Sequence, residues 1–169
     1  MTFKIVKYGD PILEKPCDPI TDFGPELQDL IDGMFETMYA AKGVGLAAPQ
    51  VGVSQRLTVI DCSAGENEAE RIVLVNPEVV AREGNQVGEE GCLSIPGFRE
   101  DVSRALKATV RAQDRHGNPI EVAGEELLAR AMQHEIDHLN GILFLNHLSP
   151  LKRDLIRRKI KKLIKAGEW

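Results

Sequence analysis

The stretch Gln133-His134-Glu135-Ile136-Asp137-His138 contains two histidines four residues apart, with a glutamate directly after the first. In a helix, which turns by about 100° per residue, His134 and His138 lie one turn apart and roughly 40° apart on the same face. Two imidazoles placed in this way can bind one metal ion, and Glu135 beside them can handle the protons of a water molecule. A catalytic metal site usually has about three protein ligands, so the motif needs a further ligand from elsewhere in the chain.

Hydrophobic spacing divides the rest of the chain into helices and short strands. Apolar residues recur every three or four positions from Pro25 to about Ala41, and again after Ser149-Pro150, a typical helix start. Apolar stretches that alternate or run continuously predict strands at 56–62, 72–80, 106–113 and 120–123. We therefore predict an α+β fold. It is a single compact domain over residues 1–169, with short antiparallel strands around a central metal-binding helix, plus N-terminal and C-terminal helices.

The composition, with 43% hydrophobic and 28% charged residues, is that of an ordinary globular protein. No apolar run approaches the about 18 residues that a membrane span needs, so no membrane association is expected. The first residues have neither a secretory apolar region nor the character of a transit peptide. These features predict a cytoplasmic protein.

The net charge of −5 conceals a basic C-terminal segment. Residues 149–169 contain eight Lys or Arg and two Asp or Glu, whereas the other residues contain 13 basic and 24 acidic side chains. One interpretation is a polyanionic partner for this basic helix. The other is a helix that packs by its apolar side and leaves a lysine-rich face in solvent.

The three cysteines, Cys17, Cys62 and Cys92, form no disulfide framework and indicate reduced thiols. Cys92 stands out because Gly91 precedes it and Pro96-Gly97 follows, which places it on exposed, shaped backbone. It is therefore available as the third metal ligand. A buried structural cysteine is the alternative that the residues alone leave open.

The segment 43–52 is rich in glycine and alanine, so another backbone can approach it closely. Its one strong hydrogen-bonding side chain is that of Gln50. The segment lacks the lysine of a phosphate-binding loop and the glycine spacing of a dinucleotide-binding loop. A peptide-binding role and a simple tight turn both fit this pattern.

Three motifs, in this order and spacing, resemble those of the peptide deformylases: segments 43–50, 90–94 and 133–138. The resemblance covers nearly the whole chain, including 34–40 and 148–152. It implies one divalent metal ion per chain, bound by Cys92, His134 and His138, with room for water at the fourth position. The family works best with Fe2+ in the cell and also accepts Zn2+, Ni2+ or Co2+.

The resemblance also implies the reaction, which is hydrolysis of the formyl group from the N-terminal formyl-methionine of new polypeptides. Glu135 takes a proton from the attacking water and later passes one to the leaving amine. The Gln50 amide and the backbone N–H of Leu93 bind the developing oxyanion. Glu90 and Arg104 are expected to pair and to support the cysteine loop.

The N-formyl-methionyl peptide is expected to add to a strand edge near Gly45 and Gly91. We expect an apolar slot for the methionine side chain and, farther along the peptide, a contact from Arg99. The slot residues are Val44, Leu127, Ala131 and the aliphatic part of Arg130. In similar bacterial enzymes the basic C-terminal helix docks on the ribosome, and we expect a monomer.

Two other functions are compatible with a metal-binding helix. A zincin-like metallopeptidase takes its third ligand C-terminal to the helix, where His147 has no suitable spacing. A non-catalytic metal-stabilised binding domain needs a fourth protein ligand, and no Cys-rich element supplies one.

Overall fold

Two antiparallel sheets contain all seven strands of the protein, in a computed structural model that describes residues 1–169. The larger sheet has the order β1-β2-β3-β6-β7, and β4 and β5 form a separate hairpin. The strands are β1 (Gly45–Ala47), β2 (Leu57–Ile60), β3 (Ile72–Glu83), β4 (Gln86–Cys92), β5 (Ile95–Arg104), β6 (Lys107–Gln113) and β7 (Pro119–Glu125). Since β1 ends the larger sheet, its outer edge has no strand partner, and Gly45 is its one residue that is not buried.

Three α-helices complete the fold: α1 (Pro25–Ala40), α2 (Leu127–Leu139) and α3 (Pro150–Lys165). Both α1 and α3 begin with a proline, whose missing N–H would have had no partner in the first turn. The Ser149 hydroxyl caps α3 by accepting a hydrogen bond from the backbone N–H of Lys152 at 3.3 Å. No helix combines the length and the apolar composition needed to cross a membrane.

Helix α2 lies at the centre of the molecule and contacts every strand of the larger sheet. Its apolar side, including Met132 and Ile136, packs on that sheet. Its C-terminal end turns at Gly141, where φ is +76° and an added Cβ would meet the backbone of Glu14 and Lys15 at 2.8–2.9 Å. The helix is therefore fixed both along its length and at its end.

The predicted fold class is confirmed, and two details differ from the expectation. Cys92, expected on exposed backbone before a Pro96-Gly97 turn, ends strand β4 of the β4–β5 hairpin. The sequence hides this hairpin because β4 is mostly glycine and polar residues. Strand β3 runs past the predicted end at residue 80 to Glu83, and its pairing with β6 shifts in register at Asn76-Pro77. Asn76 adopts φ +52° at a shift in register, and its side chain makes two hydrogen bonds to the backbone of Ile20.

Candidate metal centre and substrate pocket

Three possible ligand atoms converge where the end of β4 meets α2. The Nε2 atoms of His134 and His138 are 3.2 Å apart, and Cys92 Sγ is 3.4 Å from His138 Nε2. Ligands bonded at normal lengths to one tetrahedral metal are roughly 3.3–3.6 Å from each other. All three atoms lie within 4.8 Å of one another, and no other His, Cys or carboxylate belongs to the group. The donor set therefore fits one metal ion with an open coordination position.

A buried carboxylate, that of Glu90, orients the first of these histidines. Glu90 Oε1 lies 2.8 Å from His134 Nδ1, so this nitrogen donates its proton to Glu90 and Nε2 faces the other ligands. Arg104 donates to both carboxylate oxygens at 2.9 Å, as expected from the sequence. Arg130 Nη1 adds a hydrogen bond of 2.5 Å to Oε2. Burial opposes ionisation, but the hydrogen bonds from Arg104 and His134 outweigh it and hold the pKa of Glu90 well below its usual range.

The two histidines have opposite pKa shifts. Burial lowers the pKa of His138 well below its usual value, which leaves it in the neutral form that binds metals. Burial acts in the same direction on His134, but its hydrogen bonds with Cys92 and Glu90 raise its pKa to about 10. A metal ion bound at Nε2 of His134 would take the place of a proton there, because a ligating imidazole nitrogen must be unprotonated.

Asp137 and His147 extend this network towards the surface. Asp137 Oδ2 lies 2.6 Å from Arg104 Nη1 and 2.8 Å from His147 Nε2. The sequence interpretation gave no role to Asp137 and indicated for His147 only that its spacing does not suit a metal ligand. The position of Asp137 three residues after His134, on a similar side of α2, is the signal that could have identified it.

Glu135 is buried beside the three ligand atoms. Its Oε1 lies 3.9 Å from His134 Nε2, and its buried Oε2 has no hydrogen-bond partner in the protein. Burial raises the pKa of Glu135 to about 7, a value suited to taking up and releasing a proton at neutral pH. Gly45 makes room for it, because a Cβ there would lie only 2.8 Å from Oε1.

Gln50 reaches the cluster from the short helix that follows β1. Its Oε1 accepts a hydrogen bond of 3.0 Å from the backbone N–H of Ala47, which directs Nε2 towards the site. Nε2 lies 3.5 Å from Cys92 Sγ and donates to Ser94 Oγ at 3.1 Å. Leu93 lies in the turn between β4 and β5, and its side chain packs over Gly43. Sequence reasoning gave no role to Ser94.

A pocket of about 600 Å³ opens over the cluster. Every residue expected from the sequence to contact the substrate lines it: Val44, Gly45, Gly91, Arg99, Leu127, Arg130 and Ala131. Arg99 lies at the exposed rim, where its Nε pairs with Glu89 Oε1 at 2.6 Å. Gly45 at the start of β1 and residues 89–92 of β4 both line this opening.

A Cys-His-His cluster with an adjacent buried glutamate, open to a pocket on an α+β fold, defines the site of a mononuclear metallohydrolase. Comparisons with known proteins identify the family. The family model described as polypeptide deformylase matches residues 2–154. The chain belongs to the peptide deformylase family, metal-dependent hydrolases that remove the formyl group from N-terminal methionine.

Individual relatives agree over almost the full length. A peptide deformylase of Acidobacterium capsulatum is 61% identical over 165 residues, which are 98% of this chain and 97% of the relative. The crystal structure of a peptide deformylase from Legionella pneumophila has a TM-score of 0.92 at 52% identity and covers 99% of this chain and 98% of its own. The crystal structure of the peptide deformylase from Thermus thermophilus has a TM-score of 0.89 at 42% identity. That match covers 98% of this chain and 97% of the Thermus chain. These relationships exclude the metallopeptidase and binding-domain alternatives.

Proposed function

We propose that Glu135 is the proton carrier in the hydrolysis of N-terminal formyl-methionine, which releases formate and leaves a free amino terminus. One observation carries this assignment: a carboxyl oxygen without a partner is buried within a pocket, next to three converging ligand atoms. A buried polar atom without a hydrogen bond is costly, so a group from outside the protein is needed to satisfy it.

Cys92, His134 and His138 hold one divalent metal ion, which is Fe2+ in the cell and can be Zn2+, Ni2+ or Co2+ after isolation. When bound, the ion acts as a Lewis acid towards water and the formyl oxygen. Imidazole and thiolate ligands suit each of these metals, so the ligand set supports the class of ion and the choice of iron comes from the family.

Glu135 accepts a proton from water as the water oxygen forms a bond to the formyl carbon. It then delivers a proton to the amide nitrogen as the carbon–nitrogen bond breaks, so that formate and the free amine leave. Burial raises the pKa of this carboxyl group to about 7 in the metal-free protein, which supports a role for it in both transfers near neutral pH.

Gln50 and Leu93 stabilise the negative charge that develops on the formyl oxygen. The Nε2 amide of Gln50 is held in place through its own Oε1, and the backbone N–H of Leu93 belongs to a tight hairpin turn. Donors fixed before the reaction begins are worth about 3–4 kcal/mol each in the transition state.

The peptide lies between the free edge at Gly45 and the strand at Gly91, where its backbone extends the sheet. The methionine side chain of the peptide occupies an apolar slot, and Arg99 contacts the peptide backbone farther along. The slot is lined by Val44, Leu127, Ala131 and the aliphatic part of Arg130. The absence of a side chain at either glycine allows this close approach.

The test is formate release from a formyl-Met tripeptide by protein purified anaerobically, with the metal content measured. Glu135→Ala should retain the metal and lose about 10²–10⁴-fold in kcat. Glu121→Ala, which removes an exposed carboxylate that pairs with Arg111, is the matched control and should act like the parent. Metal-loaded parent protein without activity, or a fully active Glu135→Ala variant, contradicts the mechanism.

The basic helix α3 docks on ribosomal RNA in this proposal. Ile156 and Ile160 are the two buried residues of α3, and most of its lysines and arginines are exposed. Because truncation would remove both isoleucines from the core, the better test changes the exposed lysines 159, 161, 162 and 165 to glutamine. Ribosome binding at low salt should fall steeply, and its salt dependence should weaken. If ribosome binding is unchanged, the remaining interpretation is that α3 packs by its apolar side and leaves its lysine-rich face in solvent.

We place the enzyme in the cytoplasm, where its substrate is made, as one catalytic domain over residues 1–169, and as a monomer. Light scattering during size-exclusion chromatography tests the last point, because a dimer would give twice the mass of 18.7 kDa.

A further inference from the structure

Arg130 is a charged side chain buried in the wall of the substrate pocket. It lies one turn before His134 on α2, and only 10% of its side chain is exposed. A buried cation is costly unless it is paired and hydrogen-bonded, whereas an aliphatic residue could line an apolar slot without that cost. The guanidinium group therefore has a purpose beyond lining the pocket.

The hydrogen bonds of this group go to Glu90 and to the backbone of β5. Nη1 donates to Glu90 Oε2 at 2.5 Å and to the backbone oxygen of Val102 at 3.0 Å. Nη2 is buried and has no hydrogen-bond partner. The guanidinium therefore leaves Nη2 without a hydrogen bond while Nη1 keeps its contact with the Glu90 carboxylate.

Gly88 of β4 provides the space for that position. A Cβ added at Gly88 would lie 3.2 Å from Arg130 Nη2 and 3.5 Å from Cζ. The backbone of Gly88 is not in the left-handed region, so strand geometry itself does not require glycine. What a side chain would disturb here is the guanidinium.

The carboxylate of Glu90 connects this contact to the metal centre. Its Oε1 bonds to His134 Nδ1, and Arg104 donates to both oxygens. Without Arg130, Oε2 keeps Arg104 Nε as its remaining donor. The carboxylate is then held from one side only, by the two hydrogen bonds from Arg104, and the orientation that it gives to His134 is less firmly fixed.

We infer that Arg130 is a positioning residue that fixes the metal ligand His134 through Glu90, and that Gly88 supplies the clearance this contact requires. The inference rests on the proposed function, because it takes His134 to be a ligand. The ion pair between Arg130 and Glu90 then connects the wall of the methionine slot to the ligand His134.

Three variants test the coupling: Arg130→Met, Gly88→Val and the two combined. The readouts are the rate of zinc release to a chelator, kcat and KM for a formyl-Met peptide, and the unfolding temperature of the metal-free protein. Arg130→Met should release zinc roughly tenfold faster, with a similar loss in kcat. KM should stay within about twofold, because methionine preserves an aliphatic wall.

Gly88→Val should act in the same direction by displacing the guanidinium. The double variant should be no worse than the more impaired single variant, because both changes break the same contact. Gly88→Ala, the mildest change, should give an intermediate rate of zinc release. Arg111→Met, which removes an exposed arginine paired with Glu121, is the matched control and should match the parent in every readout.

The inference is overturned if Arg130→Met and Gly88→Ala change only the unfolding temperature, which would make Arg130 a purely structural residue. It is also overturned if the effects of the two single variants multiply in the double variant. Failure of the parent protein to release formate would instead refute the proposed function, since zinc release does not depend on turnover.

Discussion

The carboxylate of Glu90 lies 2.8 Å from His134 Nδ1, and the same carboxylate is held by the guanidinium of Arg104. The imidazole therefore has a fixed tautomer and a fixed direction before any metal arrives. Because these three side chains come from β4, β5 and α2, the hairpin and the helix must be packed together for the ligand to be oriented.

Glu90→Gln should weaken metal binding by roughly 10–100-fold. The amide places an N–H₂ group opposite arginine donors, so one buried contact becomes repulsive. The free energy of unfolding should therefore fall by about 3–5 kcal/mol. Competition with a chelator measures the first effect and denaturant titration the second. The neighbouring exposed residue serves as control, and Glu89→Gln should keep the metal affinity of the parent.

Gly45→Ala should reduce kcat by roughly 10²-fold while the metal content stays constant. The added methyl group would lie 2.8 Å from Glu135 Oε1 and about as close to the rest of its carboxyl group, which must move. Displacing a reacting group by about an ångström is sufficient for such a loss.

Gly117→Ala in the β6–β7 turn controls for destabilisation alone. It introduces a side chain at φ +87°, where only ordinary contacts with Phe23 are available. It should lower the unfolding temperature and leave kcat unchanged. If both alanine variants lose activity equally, contact with Glu135 is not the reason.

Gln50→Met should lower kcat by about 10²–10³-fold with little change in KM, because the amide donor acts on charge that develops only in the transition state. Ser94→Ala removes the 3.1 Å partner of Gln50 Nε2 and leaves the donor itself intact, so its effect should be much smaller. Steady-state kinetics of the two variants decide the matter, and equal losses would point to local packing.

The buried carboxylate of Asp61 contributes to the stability of the fold in acid. Burial disfavours its charge, but hydrogen bonds from Ser63 and Tyr39 and from backbone N–H groups outweigh burial and lower its pKa. Its own backbone N–H donates to the carbonyl oxygen of Val44 at 2.8 Å. The charged carboxylate therefore stabilises the folded protein above the unfolded pKa, near pH 4.

Asp61→Asn should lower the free energy of unfolding by about 2 kcal/mol at neutral pH, because hydrogen bonds to the carboxylate are lost. As the pH falls through the lowered pKa, the parent loses this stabilisation and the variant does not, so their difference should shrink below about pH 4. Unfolding free energies measured between pH 3 and 7 test this. A difference that stays constant across the range contradicts it.

Periodicity predicted the elements with a clear apolar pattern, such as α1 and α3. It missed the β4–β5 hairpin because Gly88 and Gly91 carry no side chain and Glu89 and Glu90 carry charges, so no alternating apolar face exists. Packing against the rest of the fold supports this hairpin: Leu93 at its turn lies over Gly43, and Ile95 and Val102 of β5 belong to a buried core cluster.

The candidate site divides in the same way. Residues that belong to motifs, such as His134 and Cys92, were identified from the sequence. The contacts of Arg130 with Glu90 and of Asp137 with His147 were not, because they depend on how α2 is rotated against two other elements. The family resemblance identified positions but could not supply that rotation.

Helix α2 carries core residues on one side and metal ligands on the other, which restricts changes in chain length. A one-residue insertion within Leu127–Leu139 would rotate everything after it by about 100°. Either Met132 and Ile136 would leave the sheet, or His134 and His138 would turn away from Cys92. Insertions and deletions should therefore be tolerated in surface segments such as 63–70 and 114–118, and not within this helix.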